Sequence, residues 1–363
     1  MIDFEPDEEQ ALIRETVRQF AQNEVRPKAR ACDEARAVDT AVLEAAHELG
    51  LVANALPEEC GGGGARSAVT GCLVAEELAW GDLSLALAIL SPSLLGFPVA
   101  DLGTPEQRAQ LLPGVLGDRP APGSLAWVEP RFAFDPLHPH TTAKRDGGDV
   151  VLDGAKCFVP WQDGLAHVVV VARDEGLAAF AVPTDAPGLT ATREANMGLQ
   201  ALPTAEVALA GVRVPASARL GGDAAGTAAV RALLDRGRVA LAACAVGVAR
   251  ASYEVALEYA KERKAFGVPI ATKQAIAFKL ADMATEIDAT RLLAWEAAWR
   301  LDQGLDASRE AVLAIGKAQR MVLAVADGAV QVFGGHGYTR EYLPEMHLRN
   351  ARGFSTFEAL TLV

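Results

Sequence analysis

Glu358 lies in an apolar setting, between Phe357 and Ala359-Leu360. Burial disfavours the charged form of a carboxyl and raises its affinity for a proton, so a glutamate in such a place can serve as a base near neutral pH. Arg238 follows Gly237 and precedes an almost wholly apolar run to Ala249. Gln331 sits two residues before Phe333 and the pair Gly334-Gly335. Proton abstraction and anion recognition both use polar groups stranded in apolar sequence. The residues alone leave a second reading open, and they favour it: Glu358 as a partly exposed carboxylate at a helix end.

Other chemistries lack their patterns. Gly61-Gly62-Gly63-Gly64 has neither the Gly-Lys-Ser/Thr ending nor the preceding strand of a phosphate loop, and reads as a turn. Gly334-Gly335-His336-Gly337 lacks dinucleotide-fingerprint spacing. His138-Pro139-His140 has no partner at helix-face spacing, so a metal site is not expected. No Gly-x-Ser-x-Gly elbow occurs. The five cysteines, Cys32, Cys60, Cys72, Cys157 and Cys244, are odd in number and form no Cys-x-x-Cys. That suits a reducing compartment and speaks against a disulfide framework; a cytoplasmic location is the expectation.

The elements that must position these residues change character twice. At about 150 residues per domain, 363 residues imply two or three domains. From residue 7 to 120 the pattern is helical. Leu12, Ile13, Val17, Phe20 and Val25 share a face, Ala68–Trp80 and Leu83–Leu95 are separated by Gly81-Asp82, and Thr104-Pro105-Glu106-Gln107 is a capping box. From 121 to 222 the helical period is lost. Asp149–Val159 reads as a hairpin around Asp153-Gly154, His167–Ala172 and Leu177–Val182 read as strands, and Ala205–Leu209 and Val212–Val214 as further strand ended by Pro215. From 223 onward helices return, with stripes through Ile276, Leu280, Met283 and Ile287, and through Val312, Ile315, Val322, Ala326, Ala329 and Phe333. The expected fold is α+β: an N-terminal helical domain (1–120), a central antiparallel β domain (121–222) and a C-terminal four-helix bundle (223–363).

Half the residues are hydrophobic, so a sizeable core can form. The net charge is −13 and the pI near 5.0, which excludes a general nucleic-acid binder and polybasic docking on anionic lipid. The start, Met1-Ile2-Asp3-Phe4-Glu5, is acidic where a signal peptide would be basic. The apolar stretch around Val239–Ala249 is shorter than the roughly 20 residues of a membrane span.

Several segments together resemble the acyl-CoA dehydrogenase family over nearly the whole chain. Leu56-Pro57-Glu58-Glu59-Cys60-Gly61-Gly62 is similar to the family's Pro-Glu-Glu-Tyr-Gly-Gly, followed by Ala75-Glu76-Glu77-Leu78-Ala79 and Gly81-Asp82. Tyr259–Gly267, Pro269-Ile270, Gln274 and Lys279–Met283 are close to its signature, as is Gln331–Tyr338. The resemblance implies FAD held between the β domain and the bundle, α,β-desaturation of an acyl-CoA thioester, and hydride passing to flavin N5. Glu358 falls at the place of the family's catalytic base, and Gly237 occupies the position where a minority of the family carries it. Asp235 and Arg238 match positions that contact coenzyme A. Trp127, Val128 and Phe158 match flavin-facing positions. Arg263, Phe266, Gln274, Gln331 and Gly335 match positions that reach the FAD of a neighbouring subunit. The resemblance further implies a homodimer or homotetramer and an electron-transfer flavoprotein as acceptor, with reoxidation by O₂ as another route.

The chain departs from the family in its flavin loop. Thr-Glu-Pro-Gly-Ala-Gly-Ser-Asp is here Val128-Glu129-Pro130-Arg131-Phe132-Ala133-Phe134-Asp135, so glycines that permit close backbone approach are replaced. Asn-Gly-Thr-Lys-x-Trp-Ile-Thr is here Asp153–Pro160, with Phe158 for the tryptophan and Pro160, which donates no hydrogen bond, for the last threonine. Fewer flavin contacts are expected, which motivates a second reading: a flavin-poor structural subunit of a heteromeric dehydrogenase. Glu358 lies five positions from Val363, so a more open site, or one closed by a neighbouring subunit, is expected.

Overall fold

The computed structural model describes residues 4–64, 66–354, 358 and 360–363. Phe357 and Ala359, the apolar neighbours of Glu358, lie outside the described residues. Seven helices come first: α1 (Glu8–Phe20), α2 (Ala29–Ala35), α3 (Thr40–Glu48), α4 (Ala68–Gly81), α5 (Leu83–Leu90), α6 (Ser93–Leu102) and α7 (Pro105–Val115). Their starts are written in the sequence. Asp7 and Gln10 form a capping box on α1, Ser67 caps α4 through Thr70 N, and Asp82 caps α5 through Leu85 N at 2.9 Å. The Thr104–Gln107 box on α7 forms as expected, with bonds of 2.9 and 3.3 Å. The helix expected over Leu83–Leu95 is two, because Ser91-Pro92 breaks it.

Seven strands follow: β1 (Leu125–Ala126), β2 (Thr142–Asp146), β3 (Asp149–Pro160), β4 (His167–Arg173), β5 (Leu177–Pro183), β6 (Leu189–Arg193) and β7 (Thr204–Pro215). They pair in the order β1-β4-β2-β3-β7-β6, with β5 on β4. The sheet is mixed rather than antiparallel, since β1 and β4 run parallel and β2 meets β4 in parallel at Thr142–Arg173. The expected hairpin around Asp153-Gly154 is instead a shift of register inside one long strand, and the turn lies at Gly147-Gly148. A Cβ on Gly154 would come within 2.5 Å of Thr141 Oγ1, so this glycine serves a close approach by the segment entering β2. β4 is buried on both faces. Val169 and Val171 join the helical core, while Val168 and Val170 join the β core with Leu152, Phe180 and Val207. That is why it reads as an unbroken apolar run.

The C-terminal helices are α8 (Thr227–Glu262), α9 (Gln274–Asp302), α10 (Ser308–Phe333) and α11 (Pro344–Phe354). α8 is long and apolar enough by composition to cross a membrane, but 78% of that stretch is buried inside the protein. Its small residues let α4 pack directly against it: a Cβ on Gly247 would lie 2.2 Å from the Glu76 carbonyl oxygen. Arg250 and Arg291 then clamp Glu76 at 2.8 and 3.0 Å. Of the stripe expected on α10, Ile315 through Phe333 is buried, whereas Val312 is 50% exposed and Ala311 and Ala314 face inward instead.

Candidate active site

Three groups of side chains carry the possible chemistry. In the first, α8 places Asp235 and Arg238 one turn apart on one face. Arg238 donates from Nε and Nη2 to Glu358 Oε1, at 3.2 and 2.9 Å. Its Nη1 stands 3.7 Å from Asp235 Oδ1. Asp235 Oδ2 accepts from Ser308 Oγ at 2.7 Å, at the start of α10. Glu358 Oε2 and Asp235 Oδ1 are buried and have no hydrogen-bond partner. Burial pushes the Asp235 carboxyl above its ordinary value, outweighing the Ser308 bond and the nearby Arg238 and Arg231. One arginine therefore stands between two carboxylates, each with a bare oxygen. Glu358 is the more accessible, with a quarter of its side chain exposed against 6% for Asp235.

The second group is on the β domain. Trp127, matched to a flavin-facing position in the sequence, is buried, ring and backbone alike, its indole N–H given to the Pro136 carbonyl at 2.9 Å. Val128 is half-buried and its carbonyl accepts from Cys157 N at 2.9 Å, which sets the Trp127–Glu129 segment beside the end of β3. Phe158 is half-buried at φ +55°, a left-handed conformation uncommon for a bulky residue. Its N–H is held by both oxygens of Glu194, at 3.1 and 3.0 Å. Beneath the segment lies a buried ion pair. Lys156 Nζ donates to the Trp127 carbonyl at 3.0 Å and to Glu129 Oε1 at 3.1 Å. Glu129 also accepts from Thr141 N, Thr141 Oγ1 and His140 N. Burial pushes the Glu129 carboxyl up, but Lys156 and these donors outweigh it and hold it below the usual range. Burial likewise lowers the Lys156 ammonium, against the pull of Glu129. The altered loop runs from here past exposed Phe132 to Asp135, whose carboxyl is lowered by His138, by Leu137 N and, more weakly, by Arg238.

The third group is at one end of the bundle, where α8 stops, α9 starts and α10 stops. Arg263, Phe266, Gln274, Gln331 and Gly335 are all exposed there. Phe266 is 97% exposed, and a Cβ on Gly335 would meet nothing within 4 Å. Tyr259 OH bonds His336 Nδ1 at 2.8 Å and Tyr259 stacks on Phe333 at 4.0 Å, fixing the Gly334–Tyr338 turn. Direct contacts thus unite Glu358, Arg238 and Asp235, and separately Trp127, Val128 and the end of β3. The exposed five form a surface facing away from their own chain.

The sequence reading did not single out Glu194, Ser308 or the Lys156–Glu129 pair as positioning groups. A lysine among the apolar residues of β3, and a glutamate just past the apolar run Leu125–Val128, were the available signal for the last. On the helical side, Leu90, Ser93, Phe97, Leu362 and Val363 line an apolar cavity of about 430 Å³ with α1 and α4.

The chain as a whole is similar to known proteins in sequence and fold. Models of the acyl-CoA dehydrogenase N-terminal, middle and C-terminal domains match residues 7–118, 124–212 and 224–358. The chain is 38% identical to a probable acyl-CoA dehydrogenase, YngJ, of Bacillus subtilis, covering 97% of this chain and 94% of that one. It is similar to the butyryl-CoA dehydrogenase structure from Megasphaera elsdenii, with TM-score 0.89, 31% identity, and 98% and 96% of the two chains covered. It is also similar to a glutaryl-CoA dehydrogenase from Mycobacterium smegmatis in complex with FADH2, with TM-score 0.88, 31% identity, and 97% and 91% covered.

Proposed function

The chain belongs to the acyl-CoA dehydrogenase family, a family of oxidoreductases acting on CH–CH bonds, and we propose that it desaturates an acyl-CoA thioester with Glu358 as the base. The observation that carries this is the bare, buried Oε2 of Glu358, an unshared acceptor on a carboxylate whose other oxygen is held. In this reading Oε2 takes the α-proton: the Cα–H bond breaks as the O–H bond forms. FAD, when bound, accepts the hydride leaving the β-carbon.

The residues fit an FAD. The half-buried Val128 and Phe158 offer a seat on the β domain, with the Phe158 backbone fixed by Glu194. Arg263, Phe266, Gln274, Gln331 and Gly335 offer an aromatic, an arginine and open glycine backbone, which suit the remainder of an FAD bound to a second copy. A homo-oligomer and an electron-transfer flavoprotein as acceptor belong to this proposal. Charge is reconciled locally: placed arginines meet the phosphates although the whole chain is acidic.

The test is anaerobic mixing of FAD-loaded protein with a panel of acyl-CoAs. Bleaching of the flavin by at least one thioester, reduced at least a thousandfold in Glu358→Gln, is expected. No bleaching, or bleaching as fast in the variant, overturns the proposal.

A further inference from the structure

We propose that Arg238 is a positioning residue that holds Glu358 in the resting protein and releases it by moving to Asp235 when a thioester enters. This rests on Glu358 being the base. The geometry is that of a guanidinium between two acceptors. Two of its donors are spent on one oxygen of Glu358, while a third points at Asp235 from 3.7 Å, too far for a hydrogen bond. Asp235 Oδ1 is buried, bare and aimed at the arginine, although its partner oxygen is fully engaged by Ser308. A buried acceptor without a donor is costly. Drawing Nη1 closer would satisfy it, and a full turn of the guanidinium towards Asp235 would take Nε and Nη2 off Glu358.

The exchange matters because two hydrogen bonds from one guanidinium fix the Glu358 carboxylate on the arginine, whereas a released carboxylate can turn towards the substrate. Asp235 keeps the arginine's charge compensated after it leaves, so the site need not strand a cation. The neighbouring charges leave Asp235 as the receiving group. Arg231 lies on the preceding turn of α8, Asp306 precedes α10, and Asp135 reaches from the loop after β1. Of these carboxyls, Asp235 is the one paired with Arg238. Buried and fixed by Ser308, it is held in place to receive the arginine.

The experiment is Asp235→Asn in the FAD-loaded protein, with the fastest acyl-CoA of the panel. Asparagine keeps an acceptor for Ser308 but not the charge that draws Arg238. The rate of flavin bleaching at saturation should fall about tenfold, with half-saturation changed less than twofold, and Asp235→Glu should restore the rate. An alkyl-CoA thioether bound to the wild-type protein should show Arg238 within hydrogen-bond distance of Asp235. A change confined to half-saturation would make Asp235 a coenzyme contact and overturn the exchange. So would an unchanged rate, or Arg238 still on Glu358 in the thioether complex. Glu358→Gln with full activity would instead overturn the assignment of the base.

Discussion

Replacing Lys156 by methionine tests the ion pair beneath the flavin seat. The two side chains are similar in length and Lys156 is fully buried, so volume is nearly conserved and little cavity forms. What is lost is the counter-ion of Glu129, 3.1 Å away and 3% exposed, together with the donor to the Trp127 carbonyl at 3.0 Å. Removing one partner of a buried pair costs about 3–5 kcal/mol. Glu129 keeps three donors, from Thr141 N, Thr141 Oγ1 and His140 N at 2.7, 2.7 and 2.8 Å, which sets the expectation at the low end, about 3 kcal/mol. Adding Glu129→Gln removes the stranded charge. The amide oxygen still accepts from Thr141, and the losses are the His140 N–H bond and the Lys156 bond to the Trp127 carbonyl, together about 1–2 kcal/mol. The double variant should therefore be about 1–2 kcal/mol less stable than wild type, better than Lys156→Met alone. The assay is urea unfolding at pH 7, followed by the near-ultraviolet circular dichroism of the β domain. A single variant within 1 kcal/mol of wild type, or a double variant no better than the single, would refute the reasoning.

Three further outcomes follow from packing and charge. Gly247→Ala gains helix propensity of up to about 1 kcal/mol, yet its Cβ would sit 2.2 Å from Glu76 O and 2.9 Å from Trp80 N. A net loss of about 2 kcal/mol is expected, and an unchanged or higher melting temperature would contradict the backbone contact of α4 with α8. Burial pushes the Asp82 carboxyl up to about 6 despite the Leu85 N–H. Its folded value is above its unfolded one, so the native state binds more protons between about pH 4 and 6 and loses stability as pH rises through that window. Asp82→Asn, which keeps the cap, should gain about 3 kcal/mol on wild type at pH 7 and about 0.5 kcal/mol at pH 4 in urea unfolding; an equal effect at both values would remove the charge from the explanation. Glu194→Ala frees the Phe158 N–H, and FAD titration by flavin fluorescence should show roughly tenfold weaker binding with the melting temperature of the apoprotein little changed.

Local chemistry made the helices legible: Thr104 and Gln107 form their box, and Ser67 and Asp82 cap where a helix must start. The β domain was read less well, because Asp-Gly marks a turn by propensity alone, whereas Gly154 is used for approach to Thr141. The parallel pairing of β1 with β4 depends on contacts between segments more than 40 residues apart, which no local pattern carries. For the site, the motif positions could be named from sequence, but not which oxygen of Glu358 is bare or that Asp235 shares its arginine. Those depend on where the segment after α11 meets α8.

α8 is also a ruler. Arg238 lies a third of the way along it and Arg263 at its end, separated by 25 residues or about 37 Å of helix. One bound flavin cannot reach both ends, so under the proposed assembly each chain supplies the base to one site and the phosphate-facing arginine to another. Two individually inactive variants, Glu358→Gln and Arg263→Ala, would then complement each other. Co-assembled chains carry both lesions at one site and leave the second site intact, so a random mixture regains a quarter of wild-type turnover per site where neither parent has any.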